Sequence, residues 1–223
     1  MRTYTSIFLI LTITSCDFYS SNYYVSEAEK LENEGKYEEA IELLNIAIEK
    51  DPENVFALLN RGVDKSRLGK YEEAILDYSR MVEVNPGNTL AFFNRGISKQ
   101  NLENYEGAIQ DFDKAIKTKG GEMLYMDKVD NPYIDNGYEF DVHMEEIRFE
   151  RGIVRYYIDS LKSAFDDFNF SIEKNYEVPA SHYWRGLIYL SYGMQKEGCA
   201  DLKKSQDLGE PFANEIIQKY CNE

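Results

Sequence analysis

The chain repeats itself every 34 residues, and no other feature constrains its fold so tightly. "YEEAI" stands at residues 37–41 and 71–75, and "YEGAI" at 105–109. Small residues keep the same step. Ala28, Gly62 and Gly96 form one series, and Ala40, Ala74 and Ala108 a second. Gly152 and Gly186 follow later, with Ala164 and Gly198 twelve residues behind them. A fixed period of this length marks an array of small units, each covering the apolar face that its neighbour cannot bury alone. The registers define five units, 21–54, 55–88, 89–122, 145–178 and 179–210, with an offset of 22 residues at 123–144 that reads as an insertion.

Within a unit the pattern predicts two antiparallel helices, A and B, of about 13 residues each. Gly35, Gly69 and Gly193 stand at the A-to-B turns, where positive φ is needed. Asp51-Pro52 and Asn85-Pro86 end helix B, because the proline ring clashes with a continuing helix. Gly62 and Ala74 let the two helices approach, while Leu58 and Tyr78 fill the space beside them.

These residues resemble the tetratricopeptide repeat. The second unit carries Leu58, Gly62, Tyr71, Ala74, Tyr78 and Pro86 at the family's positions. The first carries Tyr24, Ala28, Tyr37, Ala40, Leu44, Ala47 and Pro52. The third has Phe92, Gly96, Tyr105, Ala108, Phe112 and Ala115, with Gly120 where the proline belongs. The last two keep Gly152, Ala164 and Phe168, and Gly186, Tyr189 and Leu202, without a closing proline. The resemblance implies an all-α fold, a right-handed superhelical solenoid of helical hairpins with a concave face made of A helices. Residues 211–223 fit a capping helix opened by Pro211, with Phe212, Ile216, Ile217 and Tyr220 at helical spacing.

A charged pair recurs in the same register. Arg61, Arg95, Arg151 and Arg185 precede the four helix-A glycines, and Asp77, Asp111, Asp167 and Asp201 follow them by sixteen residues. The first unit has Glu27 and Leu43 at these places, so both partners are missing together. Each Arg is expected to pair with an Asp across the A/B packing, within a unit or between neighbours, as structural ion pairs.

The first residues follow other rules. Arg2 gives a positive start, residues 7–13 are apolar but too short to span a bilayer, and Ile13-Thr14-Ser15-Cys16 resembles a bacterial lipobox. The resemblance implies a signal peptide at 1–15, cleavage, lipid attachment on Cys16 and a short tether at 16–20. An ordinary secretory signal is the alternative. The lipid reading places the protein in a bacterial cell envelope, anchored to a membrane, with the outer membrane, facing the periplasm or the surface, as the favoured one.

An exported chain meets an oxidising compartment, where Cys199 and Cys221 could form a disulfide clamping the cap; two buried free thiols are the alternative. His143 and His182 complete no metal spacing with them, so neither a metal nor a cofactor is expected. A formal net charge of −15 opposes binding to nucleic acid, and no Lys/Arg run builds a basic groove. No phosphate-cradling loop, nucleophile elbow or Ser/His/Asp set appears, so no enzyme activity is expected. The insertion is acidic, with turn signals at Asn131-Pro132 and Asn136-Gly137, and lacks an EF-hand register. It reads as an acidic surface loop or an extension of the flanking helices, with a partner contact as the alternative.

The repeat family contacts extended peptides or partner helices through inward-facing helix-A residues. Carried over, those positions hold Phe56, Leu59, Asn60, Val63, Phe93, Asn94, Ile97, Phe149, Ile153, Tyr156, Tyr157, Tyr183 and Leu187. The lining is apolar and aromatic with two amides, some of it expected to pack between repeats instead. It lacks the Lys and Arg with which one subfamily grips a C-terminal carboxylate. The implied function is a membrane-anchored scaffold with a protein or peptide partner. The alternatives are an accessory lipoprotein for nutrient or glycan uptake, and a structural spacer.

Overall fold

The computed structural model describes residues 19–118 and 142–221. Among them are eleven helices and no strand: α1 (Ser21–Asn33), α2 (Tyr37–Lys50), α3 (Val55–Arg67), α4 (Tyr71–Val84), α5 (Thr89–Asn101), α6 (Tyr105–Thr118), α7 (Met144–Tyr157), α8 (Leu161–Glu173), α9 (Val178–Ser191), α10 (Gln195–Asp207) and α11 (Ala213–Tyr220). Odd and even helices pair as the A and B arms of five hairpins, and α11 packs on α10. The protein is an all-α solenoid.

Side-chain chemistry starts and stops these helices. Ser20 accepts from the Tyr23 amide, Asn54 from those of Phe56 and Ala57, and Asn88 from that of Ala91, each satisfying donors that the helix leaves free. Asn54 also donates to Ser21 Oγ and Asn22 Oδ1, both at 2.8 Å, and so ties the start of α3 to the start of α1. Asp51 and Asn85 are extended and precede their prolines, which stops α2 and α4. At the A-to-B turns Gly35, Gly69 and Gly193 have φ of 75°, 72° and 73°. Units three and four put Glu103 (φ 57°) and Asp159 (φ 59°) there instead. A side chain in that region costs on the order of 1 kcal/mol, which the packing of the hairpins on either side must offset.

The core follows one rule: a small residue on helix A faces a large one sixteen residues later on helix B. A Cβ on Gly62 would meet the Tyr78 ring, on Gly96 the Phe112 ring, on Gly152 the Phe168 ring and on Gly186 the Leu202 side chain. Ala28 and Leu44, both wholly buried, hold these two places in the first unit. Full burial of each large side chain contributes roughly 1.5–3 kcal/mol.

Two boundaries differ from expectation. Pro211 does not open the last helix; it lies in a turn, and α11 begins at Ala213. The end of the insertion belongs to the repeats, since Val142 is buried beside Phe93 and Phe112 and Met144 opens α7. The leader, Cys16 and residues 119–141, with the turn signals of the insertion, lie outside the described residues. No described helix is long and apolar enough to cross a membrane.

Candidate partner-binding groove

Consecutive A helices touch one another along the array: α1 with α3, α3 with α5, α5 with α7, and α7 with α9. Each B helix instead packs on the A helix of the following unit. A stack whose A arms sit closer together than its B arms curves around the A arms, so these helices line its inner face.

Four clamps hold that curvature. Arg95 makes a fork to Asp111, with Nε to Oδ2 and Nη2 to Oδ1 both at 2.8 Å. Arg61 forks to Asp77, Arg151 to Asp167 and Arg185 to Asp201 in the same geometry. All four pairs lie within a unit. The third nitrogen, Nη1, reaches the B helix of the preceding unit, where it meets Asn45, Ser79, Asp113 or Asn169. One guanidinium thus fixes both the A/B contact and the step to the neighbour. Sequence reading found the forks and missed these acceptors, which stand sixteen residues before Arg61, Arg95 and Arg185. It also missed the second cation on each carboxylate: Lys65 on Asp77, Lys99 on Asp111 and Arg155 on Asp167. Each stands four residues after the fork arginine, one helical turn away. In the fifth unit His182 Nδ1 takes a place 2.9 Å from Asp201 Oδ1.

The thirteen residues expected on the groove divide. Leu59, Phe93 and Phe149 are buried and belong to the core, because a large side chain at that position wedges against the next unit. Phe56, Val63, Ile97, Ile153, Tyr156 and Tyr183 are half-buried, packed against the core on one side and open on the other. Leu187, Asn60 and Asn94 are also half-buried. Asn60 lies near the Glu29 carboxyl of α1, which burial pushes above its ordinary range against the pull of the amide. Tyr157 is 57% exposed.

Aromatic side chains gather at the far half. Tyr157 stacks on Tyr105 with ring centroids 5.6 Å apart, and Trp184 meets Tyr156 at 5.1 Å and Tyr183 at 5.5 Å, both edge to face. Trp184 occupies the register of Asn60 and Asn94 two units on, a signal that the sequence carried and the family positions did not. Cys199 and Cys221 are joined by a disulfide that links α10 to the end of α11, with Cα atoms 5.6 Å apart. Among the described residues no group of three or more His, Cys, Asp or Glu is placed to hold a metal.

At the near end Glu32 of α1 faces Asp64 of α3, a pairing that periodicity did not reveal. Neither carboxylate oxygen of Asp64 has a hydrogen-bond partner, and its side chain is wholly buried. Burial, then the facing carboxyl and Glu29, push Glu32 up to about 7. Burial also lifts Asp64 to about 6, against the pull of Arg67, whose Nη1 is 3.7 Å away. Both values lie above the ordinary 4.5 and 3.8, so the folded state holds protons that the unfolded chain releases. The pair's contribution is intact below about pH 4 and lost as pH rises through 6 to 7. Glu32→Gln should therefore raise stability at pH 8 by about 1–2 kcal/mol and change little at pH 4. Thermal unfolding of both proteins at the two pH values checks this, and an equal shift at both would remove the carboxyl pair as the cause.

Comparison with known proteins agrees with this architecture. A tetratricopeptide-repeat family model matches residues 59–122. No curated protein matches the sequence. Among solved structures, a MamA protein is 18% identical with a TM-score of 0.68, the match covering 90% of this chain and 94% of that one. YrrB, described as a tetratricopeptide-repeat protein with an unusual peptide-binding site, is 18% identical with a TM-score of 0.68, covering 87% and 90%. PilF of Pseudomonas aeruginosa is 17% identical with a TM-score of 0.64, covering 85% and 76%. At these identities the structures show a shared fold. Residues 59–122 match the tetratricopeptide repeat, and the chain as a whole shares the fold of these structures.

Proposed function

We propose that this protein is a scaffold at a bacterial cell envelope, anchored through lipid on Cys16, that binds a protein or peptide along its concave helix-A face. One observation carries the binding: a band of half-buried apolar and amide side chains runs along the A helices and includes the exposed Tyr157. Phe56, Val63, Ile97 and Ile153 offer apolar contact, and Asn94 can bond a peptide backbone. Tyr156, Tyr157 and Trp184 supply large rigid faces at low entropic cost. YrrB, which shares the fold and is described as having a peptide-binding site, supports a peptide as the kind of partner. The anchor rests on the sequence of the first sixteen residues. Two or more acyl chains hold a protein on a membrane stably, at about 0.8 kcal/mol per buried methylene.

The test is a photocrosslinking residue placed at Ile153 or Tyr157 in cells, followed by mass spectrometry of the adducts and intact mass of the mature chain. One dominant protein adduct and a diacylglycerol mass on Cys16 are expected. Adducts spread over unrelated neighbours would sink the binding reading in favour of a spacer. Glycan retention without a protein adduct would favour an uptake accessory.

A further inference from the structure

The N-terminal end of the array presents three clustered tyrosines, of which Tyr24 also packs against the core of the first unit. Tyr19 and Tyr23 stack with ring centroids 4.1 Å apart, and Tyr24 stands edge-on to both, at 6.4 and 5.5 Å. Tyr19 is 56% exposed and Tyr23 37%. Lys50, at the end of α2, lies 5.7 Å from the Tyr24 ring centre. Beside the cluster an open cleft of about 510 Å³ is lined by Tyr19, Ser20, Ser21, Asn22, Lys50 and Asp51.

Two facts say what could cover this face. The stretch 19–25 carries no carboxylate in a chain of formal charge −15, and Lys50 offsets the charge of Asp51 in the adjoining cleft. Only Asp17 and Phe18 separate Cys16 from Tyr19, and three residue steps span at most about 11 Å. An acyl chain on Cys16 that enters a bilayer therefore holds Tyr19 within about 11 Å of the lipid-bearing residue, in reach of the headgroup layer. Tyrosine is suited to that layer, with an apolar ring for the acyl boundary and a hydroxyl for water.

We propose that Tyr19, Tyr23 and Tyr24, flanked by Lys50, form a membrane-contact surface that seats the N-terminal end of the solenoid on the headgroup layer. The surface rests on the lipid anchor proposed above. It changes the tether from a loose leash into a docked foot, which sets the orientation of the array relative to the membrane.

Tyr192, at the far end of α9, is 55% exposed and serves as the matched reference for Tyr19. The mature full-length protein is reconstituted into vesicles of phosphatidylethanolamine and phosphatidylglycerol and treated with tetranitromethane. Mass spectrometry then reads nitration at each tyrosine and the adduct on Cys16. Tyr19 and Tyr23 should react at least about threefold more slowly than Tyr192. Equal nitration of Tyr19, Tyr23 and Tyr192 on a chain that carries its acyl adduct overturns the contact surface and leaves the anchor standing. Absence of the adduct overturns both. Protection that grows with the density of protein on the vesicle marks a second copy of the chain as the occupant, and also overturns the proposal.

Discussion

Asp167→Ala should destabilise the fourth unit by about 3–5 kcal/mol, the largest single effect expected of any ion pair here. The carboxylate is wholly buried, yet it accepts from three guanidinium groups. Arg148 Nε lies 2.8 Å from Oδ1, Arg151 forks with contacts of 3.0 and 2.7 Å, and Arg155 Nη1 is 2.7 Å from Oδ2. Removing the acceptor leaves three cations facing one another, with Asp113 of the preceding unit as the nearest compensating charge. Asp113→Ala, by contrast, removes a half-exposed partner and should cost about 1 kcal/mol or less. Hydrogen exchange is the suitable readout, because in a repeat array each unit contacts only its neighbours and stability is lost locally. Amides of α7 and α8 should lose protection strongly in Asp167→Ala, and those of α1 to α4 little. Equal small losses in the two variants would show that the arginines find other partners and that the clamp is not a buried charge cluster.

Gly62→Leu should cost about 3 kcal/mol, at the upper end for overpacking a core. A Cβ at this place lies 2.6 Å from Cε1 of the Tyr78 ring and 2.9 Å from Cζ. The ring has no room to yield. It is buried, and its hydroxyl lies 3.4 Å from Ser66 Oγ, between α3 and α4. Moving the two helices apart would stretch the adjoining Arg61–Asp77 fork, which sits one residue earlier on each helix. The first unit contains the remedy: Ala28 faces Leu44 in the same register, and both are wholly buried. Gly62→Ala combined with Tyr78→Leu should therefore recover most of the stability that Gly62→Leu loses. Chemical denaturation of the three proteins decides the matter. If the double variant is no more stable than Gly62→Leu, the small-against-large rule does not govern the hairpin.

Much of this molecule could be read without coordinates, for a physical reason. A repeat writes the same local problem five times, so noise at one position is averaged by the others. The forks were visible because Arg61 and Asp77 recur together in four units and vanish together in the first. The helices were visible because Gly, Pro and small residues punctuate them at constant offsets.

Contacts that occur once were not legible. Glu32 and Asp64 meet across α1 and α3 only in the first two units, so no period advertises them. Leu59, Phe93 and Phe149 occupy family groove positions, yet the step between units turns their bulk into the core. Sequence alone determined what recurs: the helical hairpin, its turn, its small-against-large packing and its ionic clamp, all set by residues at a fixed separation along one chain. The tertiary structure alone decided what happens between units, since the angle at which hairpins stack chooses which helix-A side chains are sealed in and which remain open to a partner.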